Sequence, residues 1–138
     1  MNYWLLKTEP ETFSWATLAN DGHTVWDGVR NYQARNFLRQ MKEGDKALFY
    51  HSGKEKQVVG ICSIVKGSYP EKGQEANNWV VVEIVPDQLL ENPVTLKSIK
   101  SVPVLSEMLL IRHTRLSVMP ISSLEFYTIV ELSKKQKP

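Results

Sequence analysis

The sequence predicts an α+β domain, a curled and mostly antiparallel sheet with helices packed around it. Three observations carry this expectation. Runs rich in β-branched and aromatic residues recur at Asn2 to Lys7, Lys46 to Ser52, Gln57 to Ser68 and Trp79 to Val85. One stretch changes period: Ala34, Phe37, Leu38 and Met41 fall on a single helical face. The last two strand-like runs are joined by the polar segment Tyr69 to Asn78, the pattern of a meander.

The elements follow in order. The first strand ends at Thr8-Glu9-Pro10, where Pro10 forces Glu9 into an extended or turn conformation. Ser14 caps one or two helical turns through Leu18, closed by Asn20-Asp21-Gly22. His23 to Trp26 is a brief extended piece and Asp27-Gly28 a turn. Asn31 opens the amphipathic helix, Arg35 and Arg39 lie on its outer face, and Gly44 stops it. Gly60, inside the long strand Gln57 to Ser68, marks a bulge or a close approach of other atoms. After Pro86 the signals shorten to helical pieces at Thr95 to Lys100 and Val104 to Leu110, set apart by Pro103. Ser122 and Glu125 have capping-box spacing, with Ile121 and Phe126 as the accompanying staple; Ile129 and Val130 extend the buried face. Residues 133–138 form a basic tail expected to fray.

Composition narrows the function classes. The chain has 138 residues, 42% of them hydrophobic, which is one domain's worth and excludes collagen-like and low-complexity chains. One cysteine allows no internal disulfide, no apolar run is long enough to span a bilayer, and Met1 to Trp4 carry no charged leader. A cytoplasmic location is the expectation. The net charge is only +2, so global basicity does not announce nucleic acid. The distribution is sharper than the total. Nine of the 13 aromatics lie in the first 50 residues, and seven Lys/Arg against three acids lie between Arg30 and Lys56.

Several chemistries lack their residues. His23, His51 and His113 share no metal-ligand spacing, and Cys62 reads as a buried structural thiol. No Gly-rich phosphate loop and no carboxylate pair on one element is present. His51 and Ser52 are strand neighbours, so their side chains point to opposite faces. Polar residues do gather at Trp26 to Asn36, Phe49-Tyr50-His51-Ser52 and Arg115-Leu116-Ser117-Val118. Each segment admits two readings. Asn31 is a sound helix cap, Tyr50 and His51 can bury against backbone, and Arg115 to Val118 can be an exposed edge; equally, a helix N-terminus beside arginines can hold an anion, and strand ends often carry site residues.

Together with Tyr3-Trp4-Leu5-Leu6-Lys7-Thr8-Glu9-Pro10, and with Met119-Pro120 closing the last block, these segments resemble the signature blocks of EVE domains. The resemblance spans residues 1–132 as one domain and implies a PUA-like fold, a curled β-barrel with flanking helices related to YTH domains. It also implies a non-catalytic module, without cofactor or metal, that reads a modified nucleobase flipped out of DNA or RNA, principally modified cytosine in DNA. On this resemblance Trp26 matches the first cage tryptophan, and Lys7 and Glu9 the polar stretch lining the same pocket. Tyr50 is expected to add a stacking surface, and Asn31, His51, Ser52 and Ser117 hydrogen bonds to the base edge. Lys7, Arg30 and Arg115 are expected on the phosphate backbone. Unlike many relatives, this chain has no aromatic between Tyr69-Pro70 and Trp79. Two alternatives stand beside the reader: a nucleotide- or RNA-processing enzyme with His51 as general base, and a small-molecule or protein-interaction domain on the same scaffold. A domain of +2 is expected to bind long nucleic acid weakly unless it contains the right base.

Overall fold

The strand-like runs that begin at Asn2 and at Lys46 lie side by side in the sheet, their central residues buried. In the computed structural model, which describes residues 1–135, β1 (Tyr3–Thr8) pairs in parallel with β3 (Lys46–His51), Leu5 opposite Leu48. Between them run α1 (Trp15–Asp21), β2 (Thr24–Trp26) and α2 (Tyr32–Gln40). The other pairings are antiparallel: β3 with β4 (Gln57–Pro70), β4 with β5 (Val80–Thr95), β5 with β2, and β1 with β6 (Val118–Ile121). The chain also forms α3 (Leu96–Lys100), α4 (Leu109–Arg112) and α5 (Ser123–Lys135). The strand order is β2-β5-β4-β3-β1-β6.

The expected barrel is not closed. The hydrogen-bonded ladder begins at β2 and stops at β6, with no pairing between those two strands. Curvature comes from β4 and β5, whose register shifts four times along their length. One shift leaves Val59 unpaired between Val58 and Gly60, and a Cβ on Gly60 would lie 2.5 Å from the Trp15 indole. Both readings of Gly60, bulge and close approach, hold at once.

Local signals placed the helices well. The Ser14 hydroxyl accepts the Thr17 N–H and Asn31 Oδ1 accepts that of Ala34. On α2, Ala34 and Leu38 are buried, and Met41 just beyond it is buried as well. Ser122 and Glu125 exchange both bonds of a capping box, at 2.8 and 3.0 Å, over buried Ile121 and Phe126.

Three expectations need correction. The fifth strand does not end at Val85: it continues through Pro86, paired with Cys62 where the register slips, a place where the missing N–H breaks no regular ladder. Val104 to Leu110 is not one helical piece but a 3₁₀ turn at Pro103–Leu105 followed by α4. The chain beyond Arg115 supplies a strand, β6, where the sequence showed only alternation. In addition, Ser133, Lys134 and Lys135 belong to α5, with Ser133 buried and its hydroxyl accepting the Asn92 N–H; residues 136–138 of the expected tail lie outside the described residues.

Two buried groups show how the core handles polarity. Burial pushes the Cys62 thiol up to about 12, which suits an inert side chain. Asp45 is buried against the first strand. Burial opposes its charge, yet bonds from Trp4 Nε1 at 2.9 Å and from the Asn2 and Lys42 N–H groups outweigh that and leave its pKa below the ordinary value. A depressed carboxylate stabilises the fold above its unfolded pKa, and that contribution disappears as pH falls through the folded value. Urea midpoints are therefore expected to fall as pH drops below about 4. Asp45→Asn should be less stable at neutral pH and should lose part of that acid dependence; an unchanged profile would show that Asp45 is not the group responsible.

Candidate functional site

Where a barrel would seal, the sheet leaves a cleft of about 580 Å³ lined from both of its edges. One wall is Thr24 to Asn31, which is β2 and the loop into α2. The other is Lys7 and Thr8 at the end of β1, Thr12 and Phe13 beyond it, and Ser117 just before β6. Clefts of this size hold small-molecule or nucleoside-sized ligands.

Each wall is fixed by identifiable contacts. Pro10 and its neighbours form a turn in which the Glu9 carbonyl accepts the Thr12 and Phe13 N–H groups, while Thr8 Oγ1 donates to the Phe13 carbonyl at 2.9 Å. This turn swings Phe13 over the cleft, nearly perpendicular to Trp26 with ring centres 6.1 Å apart. Trp26 also meets Phe49 at 5.8 Å, and Phe49 meets Trp15 at 5.5 Å, so the cleft's aromatic wall continues into the core. In the opposite loop Val29 is buried, which pins the segment, and Gly28 takes the left-handed conformation with φ of 76° that glycine tolerates without strain. Glu71, from the β4–β5 connection, accepts the Gly28 N–H at 3.1 Å and two bonds from Arg30, at 3.1 and 2.7 Å. The Arg30 guanidinium, helped by Gly28, holds the Glu71 carboxyl below the usual carboxylate range.

The structure brings five of the ten expected site residues to this cleft: Lys7, Trp26, Arg30, Asn31 and Ser117. Asn31 spends its carbonyl oxygen on the helix cap, at 2.8 Å from the Ala34 nitrogen, so the amide is oriented and its NH₂ is left for a ligand. Lys7 reaches the Thr114 carbonyl at 2.8 Å, and burial lowers its pKa. Arg30 lines the cleft, but its bidentate pairing with Glu71 already balances its charge. It therefore shapes the wall rather than offering a free cation. Arg115 lies outside, exposed, in an adjoining groove that shares Asn31 with the cleft. Among the described residues it has no acidic partner.

Four expected residues do not line the cleft. Tyr50 is 3% exposed, with Lys7 Nζ 5.9 Å from its ring centre, and so presents no open face to a base; burial pushes its hydroxyl up to about 12. Ser52 donates its backbone N–H to the Thr8 carbonyl, extending the β1–β3 pairing. Glu9 takes part through its carbonyl, with its side chain exposed. His51 is buried and spoken for. Its Nε2 accepts the Trp15 N–H at 3.0 Å, which requires the proton on Nδ1, and Nδ1 donates to Glu55 Oε1 at 2.9 Å. The nitrogen a general base would use is thus occupied. His51→Ala is expected to lower stability by about 1–3 kcal/mol, since the Trp15 N–H loses its acceptor, while any selectivity between bases stays unchanged; loss of selectivity in a folded variant would place His51 at the ligand after all.

Three contributors were missed by sequence reasoning. Phe13 was visible only as part of an aromatic excess, because its position depends on the preceding turn. Glu71 is 41 residues from Arg30, and nothing local links them. Asp27 reads as a turn residue in the sequence, yet it lines the cleft, and among the described residues it forms no ion pair, the nearby Arg30 being paired with Glu71.

Comparison with known proteins bears on the same chain as a whole. The EVE domain model matches residues 2–132. Human thymocyte nuclear protein 1 is 36% identical over 98% of this chain and 75% of its own length. Its crystal structure in complex with 5-methylcytosine-containing DNA superposes with a TM-score of 0.91 at 34% identity, covering 100% of both chains. Protein Atu2648 from Agrobacterium tumefaciens has a TM-score of 0.93 at 40% identity, covering 96% of this chain and 93% of its own. At 11% identity and a TM-score of 0.60, over 95% of both chains, ASCH from Zymomonas mobilis shares the fold alone. With the family's blocks in order, its model running through nearly the whole chain and relatives above 30% identity, this protein belongs to the EVE domain family.

Proposed function

We propose that this protein is a non-catalytic module that binds DNA carrying a modified cytosine, holding the flipped base in the cleft between β2 and the end of β1. The observation that carries the reading is the pairing, in one cleft, of an aromatic wall with polar groups matched to a base edge. A relative of 34% identity whose structure contains 5-methylcytosine DNA supports the choice of ligand.

Cytosine offers an exocyclic amino donor, and a carboxylate is its natural acceptor. Asp27 is assigned that role. The ring nitrogen and carbonyl of the base need donors, which Asn31 Nδ2 and the Ser117 hydroxyl can provide. Trp26 and Phe13 supply the aromatic surface, returning roughly 1–3 kcal/mol per stacked base against a few kcal/mol for unstacking. Burying one methyl group adds only about 0.8 kcal/mol, near fourfold in affinity. The preference for 5-methylcytosine over cytosine is therefore expected to be modest. Lys7 and Arg115 are left for the phosphates, which position the strand without reading it.

Titration of otherwise identical oligonucleotides containing 5-methylcytosine or cytosine, at two salt concentrations, tests this. The expected result is tighter binding of the modified strand by about fourfold or more, with a shallow salt slope from few phosphate contacts. Equal affinity for the two would refute base reading.

A further inference from the structure

Just outside the cleft, the start of α2 and Trp79, the residue before β5, meet in a stack that the proposed reading does not use. The Tyr32 and Trp79 rings lie 5.2 Å apart with their planes 16° from parallel. The Arg35 guanidinium is 5.0 Å from the Tyr32 ring centre and 5.7 Å from that of Trp79. These three separations are nearly equal, so Arg35 sits at the side of the stack and does not cap its end. Arg30 covers Trp79 from 5.3 Å and is itself anchored by Glu71. Trp79 is half-buried, but Tyr32 is 66% exposed.

Burial does not account for Tyr32. A ring two-thirds in water gains little from leaving solvent, and tyrosine is not a strong helix former. What the contacts achieve is orientation: the ring is stacked on Trp79, the Arg35 guanidinium lies close to both rings, and two-thirds of Tyr32 stays open to solvent. Its position is equally specific. Arg30 and Asn31, the two preceding residues, line the cleft. The open ring therefore stands one residue beyond the cleft's rim.

We propose that Tyr32, seated on Trp79 and braced by Arg35, is a stacking platform for the base adjacent to the one held in the cleft. This deepens the reading above and rests on it. A base that leaves the stack deprives its neighbour of a partner, and an oriented aromatic face can replace that partner regardless of sequence. Arg35 contributes a cation with no carboxylate partner among the described residues; its guanidinium donates only to Asn36 Oδ1, at 3.2 and 3.4 Å. It is thus available to the phosphate joining the two nucleotides.

The test uses short single-stranded DNA with one 5-methylcytosine, in which the 5′ or the 3′ neighbour is replaced by an abasic residue. One of the two abasic strands is expected to bind the wild-type protein about tenfold more weakly. Tyr32→Ala should weaken the intact strand by a similar factor and then be indifferent to that abasic substitution, while Tyr32→Phe binds as wild type does. Thermal melting confirms that the variants are folded. The ratio of affinities for 5-methylcytosine and cytosine should not move in Tyr32→Ala. The platform is refuted if the wild type is indifferent to both abasic strands, or if Tyr32→Ala remains as sensitive as wild type. Should 5-methylcytosine and cytosine bind equally while the coupling between Tyr32 and the neighbour persists, the reader assignment falls and the platform stands. Should no oligonucleotide bind, both fall.

Discussion

Replacing Trp26 with alanine is expected to erase the preference for 5-methylcytosine over cytosine and to weaken binding of the modified strand by about five- to 150-fold, the equivalent of roughly 1–3 kcal/mol of lost stacking. The salt dependence should hardly change, because the cationic groups at the rim, Lys7 and Arg115, are untouched. The ring also has a packing role. It stands nearly perpendicular to Phe13 and Phe49, and truncation opens a gap between them. A stability loss of about 2 kcal/mol is expected, less than for a fully buried tryptophan because the residue is only half-buried. Trp26→Phe separates the two effects, keeping an aromatic face with a smaller gap. A folded Trp26→Ala protein that still prefers the modified strand would remove Trp26 from the site.

The second large effect lies away from the cleft. Gly60→Ala places a methyl group 2.5 to 2.7 Å from three atoms of the Trp15 indole, a rigid ring that cannot yield by rotating a distal bond. Overpacking of this kind costs about 1–3 kcal/mol. For a domain of this size that corresponds to a fall of about 4–12 °C in melting temperature. The disturbance has a route to the site. Trp15 supplies the N–H held by His51, its ring meets Phe49, and Phe49 meets Trp26. Binding should therefore weaken along with stability. Shrinking the obstacle tests the cause: Trp15→Leu in the Gly60→Ala background should recover part of the loss. An alanine variant as stable as the wild type would mean that Trp15 does not crowd Gly60.

What the sequence disclosed was the part of the fold that is local. The caps at Ser14 and Asn31, the buried face of α2 and the Ser122–Glu125 box each depend on residues a few positions apart. What it concealed depends on pairing at a distance. Pro86 looks like a strand stop, and only the bulge opposite Cys62 lets the strand pass through it. Four residues containing Pro120 look too few for a strand until β1 offers its free edge. The candidate site divides the same way. Trp26, Asn31 and Ser117 reach the cleft because the expected segments do converge there. His51 does not, since its polarity is consumed by Trp15 and Glu55, partners 36 residues upstream and four downstream. Phe13, Asp27 and Glu71 entered only with three-dimensional placement.

An unsealed sheet has a further consequence. At the seam itself two strand edges face each other, each a potential template on which a foreign strand could add. Here both are poor templates. β2 offers three residues, too few to hold an added strand, and β6 offers four, one of which is Pro120 with no amide hydrogen. The seam can thus stay open to a ligand without inviting edge-to-edge aggregation.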